Sequence, residues 1–99
     1  MIVDEIIATC SHPKIAGAAL RSLGRAFVEE IGHDARANGL PPDAFVALLV
    51  RRFGALASPA DRVAVAMAVK GHDMPVLEGL RRIIKDFSAL AQRLEPTGG

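Results

Sequence analysis

A chain of 99 residues has the length of one ordinary domain, and a hydrophobic content of 51% argues against intrinsic disorder. The formal net charge of +1, from twelve basic and eleven acidic residues, excludes a global electrostatic attraction to nucleic acid or to an anionic membrane. With four phenylalanines and neither tryptophan nor tyrosine, the chain also has few aromatic platforms on which bases or sugar rings could stack.

The hydrophobic spacing predicts an all-α fold, a bundle of four or five helices in a single domain over residues 1–95, with a disordered tail at residues 96–99. A short first helix over residues 3–9 ends at the turn residues around Pro13. The second helix then runs from Pro13 to at least residue 31. Because Glu30 and Asp34 fall on its apolar side, we expect this helix to stop near Gly32 or to leave the core there. A second candidate stop is Asn38-Gly39.

Three further helices are predicted in the second half of the chain. The third, over residues 42–57, is apolar around more than half of its circumference, so it is central in the domain or lies at an interface. Ser58-Pro59-Ala60-Asp61 predicts the start of the fourth, with a capping serine, a first-turn proline and an aspartate at the positive end of the helix dipole. Residues 63–69 alternate with period two, but their alanines and the helical cap favour a helix over a strand. The last helix, over residues 75–94, has a single apolar arc.

Candidates for metal or catalytic chemistry are weak. The chain holds four soft or imidazole ligands: Cys10, His12, His33 and His72. Only the first two are close in sequence, whereas zinc sites show paired short spacings. Glu30 and His33 have the spacing of the di-iron motif of helical bundles, which requires a second copy that the sequence lacks. Since no nucleophile or phosphate loop stands in a recognisable context either, we predict no metal, no cofactor and no enzymatic activity.

The location expected from the sequence is the cytoplasm. Cys10 is the only cysteine, so no intrachain disulfide can form and a reducing compartment fits best. The first residues are acidic where a secretory signal would be basic. The longest apolar runs, residues 44–50 and 63–69, are far shorter than a membrane span of ~20 residues. Abundant alanine and an excess of arginine over lysine, nine to three, resemble the usage of high-GC bacterial genomes.

We predict a non-catalytic protein–protein interaction module that forms a homodimer or docks a helical partner. The expected contact surface lies on the third and fourth helices and comprises five residues: Phe45, Leu49, Phe53, Val65 and Val69. The fourth helix carries Val63 and Met67 on one side and Val65 and Val69 on the other. Because only one helix of so small a domain can be enclosed on all sides, a second apolar face would be an exposed patch that a two-fold dimer could cover.

The alternative is a small DNA-binding transcriptional regulator. Basic residues cluster in the third and last helices: Arg51, Arg52, Arg81, Arg82 and Lys85. On an exposed face they could reach phosphates and base edges. However, Arg82 has ordinary helical ion-pair spacing to Glu78 and Asp86, and the fourth helix, with Arg62 and Lys70 as its basic groups, is a poor recognition helix. The sequence therefore favours the interaction module.

Overall fold

The computed structural model describes the backbone of residues 2–94 and the side chains of residues 2–87. Its helices within this range are α1 (Ile2–Cys10), α2 (Pro13–Ser22), α3 (Arg25–Ala37), α4 (Pro42–Leu56), α5 (Pro59–Ala68) and α6 (Pro75–Leu94). The predicted all-α class is confirmed, but six helices are present where four or five were expected. The predicted tail at residues 96–99 lies outside the described residues. No helix in the described part of the chain has both the length and the apolar character needed to cross a membrane.

The central element is α4, which packs against α1, α2, α3 and α6. Six of its residues are buried: Phe45, Val46, Ala47, Leu49, Val50 and Phe53. This packing explains why the helix is apolar around so much of its circumference, since neighbours cover several of its sides. Pro42 occupies the first turn, where a missing N–H costs nothing, and the chain becomes extended at Ala57.

The predicted long second helix is wrong, because the chain breaks between Ser22 and Arg25. Gly24 has a φ of 104°, which L side chains rarely adopt, and it serves as the N-cap of α3. The break resolves the conflict in the sequence pattern, since α3 is reoriented so that Ile31 is buried while Glu30 is exposed. Two short helices therefore replace one long helix that would have directed charge into the core.

The start of α5 is fixed by a reciprocal capping box. The Asp61 N–H donates to Ser58 Oγ (3.1 Å), and the Ser58 N–H donates to Asp61 Oδ2 (3.0 Å). Arg62 adds tertiary contacts, because its guanidinium donates to the Gly54 carbonyl (2.7 Å) and pairs with Asp4 (3.3 Å). The segment is thus a helix, as the cap predicted, and it is tied at its first turn to α4 and α1.

The last helix, α6, has the bounds predicted from the sequence and lies against both α4 and α5. Gly79 faces Ile6 of α1 and Val69 beyond the end of α5 so closely that a Cβ at this position would collide with the Ile6 side chain. Further along, the Phe87 ring packs edge-on against Phe53, with centroids 5.3 Å apart and planes at 72°. A small residue and an aromatic pair therefore set the position of α6.

The capping box predicts that Ser58→Ala and Asp61→Ala destabilise the fold by similar amounts, about 1 kcal/mol each. Each side chain accepts a hydrogen bond from a backbone N–H, so Asp61 does more than favour the helix dipole. Urea titration measures the free energy of unfolding. Glu29→Ala, which removes an exposed carboxylate from α3, is the control and should change stability by less than about 0.5 kcal/mol. A loss confined to the serine variant would contradict the reciprocal cap.

The close approach at Gly79 predicts that Gly79→Val destabilises the protein by about 1–3 kcal/mol, because the added side chain would displace the fully buried Ile6. Gly32→Val is the matched control, since a Cβ at this helical glycine meets nothing within 4 Å. It should change stability by less than about 0.5 kcal/mol. Equal changes in chemical denaturation at both positions would mean that the close approach to Ile6 does not restrict position 79.

Candidate functional site

The five residues predicted to form the contact surface are all buried in the structure. None of Phe45, Leu49, Phe53, Val65 and Val69 is more than 5% exposed. The physical reason is that α4 is enclosed by four helices, while the inward side of α5 packs on α1 and α6. A partner cannot contact these side chains without opening the fold, so any docking surface must use other residues.

The outward side of α5 is apolar and exposed. Val63 and Met67 are 51% and 62% exposed, and the alanines at positions 60 and 64 are also exposed. Spacings of three, four and seven residues place all four on one side of the helix. We call Ala60, Val63, Ala64 and Met67 the α5 face. The sequence pattern predicted that α5 has two apolar sides, and the structure identifies the Val63 side as the exposed one.

Exposed apolar side chains are concentrated in the part of the sequence that contains this face. Of the five large ones in the described part of the chain, Leu56, Val63 and Met67 lie within twelve residues of each other in sequence, with Leu56 73% exposed at the end of α4. The other two, Ile15 and Met74, lie on α2 and just before α6. Single exposed apolar residues are common in proteins, whereas several on one segment indicate an interaction surface.

The basic residues of the DNA-binding alternative do not form one free surface. Arg51 donates from Nε to the Ser11 carbonyl (3.0 Å), and Arg82 pairs with Asp86 (3.0 Å). Arg81 is part-buried, with its guanidinium carbon 5.8 Å from the centroid of the Phe27 ring. Arg52 and Lys85 are exposed. Three of the five arginine and lysine side chains are therefore held by contacts within the protein.

A cleft of about 380 Å³ brings Arg81 and Lys85 together with the start of α3. Residues 23–27, which comprise the helix break and the first turn of α3, supply one wall. They include Arg25, which the sequence analysis did not identify as a candidate site residue. The sequence feature that could have indicated Arg25 is its position directly after Gly24, but this position is informative only if the helix break is recognised.

The candidate ligands for a metal are dispersed. Within the described residues, no three or more His, Cys, Asp or Glu side chains lie close enough together to hold an ion. Cys10 is buried, and this burial raises the pKa of its thiol, although a hydrogen bond from the Thr9 hydroxyl to Sγ (3.7 Å) opposes the shift. A buried thiol of raised pKa is a poor nucleophile, because the reactive form is the thiolate.

Comparisons of the chain with protein-family models, with curated proteins and with solved structures find no significant match. The residues and their geometry are therefore the basis for any functional conclusion.

The burial of Cys10 predicts slow modification by a thiol reagent. In the folded protein at pH 8, labelling by an aromatic disulfide, followed by absorbance, should be at least tenfold slower than in urea, because the thiol is both covered and protonated. The rate should rise with pH, since only the thiolate reacts. Equal rates in the folded and unfolded protein would show that Cys10 is accessible.

Proposed function

We propose that this protein is a small, non-catalytic self-association module of the cytoplasm that pairs with a second copy of itself through the α5 face. The observation that supports the proposal is the exposure of Val63 and Met67 on the outward side of a helix whose other side is packed in the core. Exposing apolar surface to water costs free energy that a partner would recover. The buried Cys10, unable to form an intrachain disulfide, suits a reducing compartment.

A second copy is the occupant that the shape of the α5 face favours. The exposed alanines at positions 60 and 64 leave the helix backbone open to close approach, while Val63 and Met67 provide the larger side chains. Two such faces related by a two-fold axis would pack the large residues of one copy against the small residues of the other. Two-fold dimers are the commonest assemblies of soluble proteins, because one patch then covers itself.

The size of the α5 face limits the strength of this association. Two large apolar side chains and two alanines expose on the order of a few hundred Å², which is below the roughly 800 Å² that each partner of a standard stable interface buries. Weak pairs bury areas of this size. We therefore propose a monomer–dimer equilibrium with a dissociation constant between about 1 µM and 1 mM.

The DNA-binding alternative has less support, because Arg51, Arg81 and Arg82 each make contacts within the protein. A gel shift at two salt concentrations distinguishes the two functions. Binding through phosphate contacts weakens steeply as salt rises, whereas apolar self-association does not.

The test is the oligomeric state of a double variant, Val63→Gln with Met67→Gln. Analytical ultracentrifugation over a wide concentration range should show the dimer of the native protein weakened at least tenfold, because two amides replace the apolar surface that the pairing buries. The far-UV circular dichroism should not change, since both positions are exposed helical sites.

The matched control is Ile15→Gln with Met74→Gln. These residues are 45% and 62% exposed, close to the values of Val63 and Met67, but they lie outside the α5 face. The control should dimerise like the native protein. A native protein that remains monomeric up to millimolar concentration would refute the self-association, and equal weakening in both variants would refute the assignment to α5.

A further inference from the structure

The cleft between the start of α3 and α6 has an unusual electrostatic character. Its charged lining consists of Arg25, Arg81, Lys85 and Glu30, three cations and one anion. No ion pair within the described residues joins these four side chains, or joins any of them to another residue. The lining of the cleft therefore carries an excess of two positive charges, while Asp73 and Glu78 line a second cleft that also includes Arg81.

The helix start on one wall of the cleft adds to the positive potential. Gly24, the N-cap of α3, provides no side-chain acceptor, and the first turn of the helix contains no acidic residue. The N–H groups at the beginning of a helix lack partners within the helix and carry the positive end of its dipole. The Gly24 N–H donates to the Arg21 carbonyl (3.5 Å), so these groups belong to residues 25–27, which all line the cleft.

Arg81 supplies an independent indication of a missing partner. Its guanidinium lies against the Phe27 ring, and its Nε has no exposed surface and no hydrogen-bond partner. A buried N–H without an acceptor is costly, so Arg81, which is part-buried and lines the cleft, retains unused hydrogen-bonding capacity. The aromatic contact holds the guanidinium in place before any ligand arrives, which reduces the entropy lost on binding.

We propose that this cleft binds a phosphate group, either as free inorganic phosphate or as the phosphate of a small monoester. Arg81 and Lys85 from α6 would bind its oxygens from one side, while Arg25 and the first N–H groups of α3 would bind them from the other. A phosphate dianion matches the excess charge of the cleft, and arginine and helix starts are its usual ligands. The site involves no residue of the α5 face, so it stands or fails independently of self-association.

The probe is inorganic phosphate, titrated at pH 7.5 into isotopically labelled protein, with sodium chloride of equal ionic strength as the reference. Nuclear magnetic resonance should show saturable shifts of the amides of residues 24–27. Arg81→Gln should weaken the binding at least tenfold. Arg82→Gln is the control, because it removes the same charge from the neighbouring position of α6, where the arginine is paired with Asp86. It should change the affinity for phosphate less than twofold.

A second variant guards against misfolding of Arg81→Gln. Lys85 is exposed, so Lys85→Gln leaves the Arg81–Phe27 contact intact and should weaken phosphate binding by at least threefold. Glycerol 3-phosphate that binds more tightly than inorganic phosphate would identify a monoester site, and the reverse order would identify a free-phosphate site. Shifts that do not saturate, or that chloride reproduces, would overturn the proposal. A short DNA duplex that shifts the same amides at lower concentration than either ligand would replace it with nucleic-acid binding.

Discussion

The enclosure of α4 by four neighbouring helices is the constraint on which the rest of this fold depends. Around it, α1, α2 and α6 also contact four helices each, and no helix of the described residues covers the outward side of α5. The next helix, α5, packs on two neighbours and buries Val65 and Val69, which leaves Val63 and Met67 in water. The exposed apolar face is thus a consequence of the peripheral position of α5, and the side chains on it could have been polar without any cost to the core.

The break at Gly24 has a similar double effect. It prevents the second half of a long helix from carrying Glu30 into the core, and it creates a helix start at the surface. The N–H groups of that start cannot be satisfied by Gly24, which has no side chain. The helix break, which keeps Glu30 out of the core, has therefore also produced a surface of positive potential that faces Arg81 and Lys85 of α6.

The parts of the fold that local chemistry determines could be predicted from the sequence. Ser58 with Asp61 marks a helix start by hydrogen bonds within four residues, and Pro75 opens α6 at the predicted position. The break could not be predicted in this way, because the sequence places Gly17 and Gly24 alike, seven residues apart beside the apolar residues that Leu20 and Phe27 belong to. Gly17 stays within α2 beside Asp43, whereas Gly24 adopts a positive φ. Only the tertiary packing distinguishes the two glycines.

The same limit explains why the predicted contact residues are in the core. A helical wheel shows that α5 has two apolar sides, but which side faces inward depends on where α1 and α6 lie. Val65 and Val69 carry no local signal that separates them from Val63. Alternating valines and alanines in a helix therefore predict that one apolar side will be exposed. Which of the two sides it is depends on the tertiary packing.

Both candidate surfaces, the α5 face and the cleft, depend on α6. One side of this helix supports α5, and another side lines the cleft. Gly79 faces α1 and α5, whereas Arg81, about 200° further around the helix, faces the start of α3. The body of α6 is fixed between them by Leu80, Ile83 and Ile84, which are fully buried. A substitution in this buried row would disturb both surfaces through the fold. A substitution at Met67 affects only the α5 face, and one at Lys85 affects only the cleft. Surface substitutions of this kind can therefore separate a role in association from a role in anion binding.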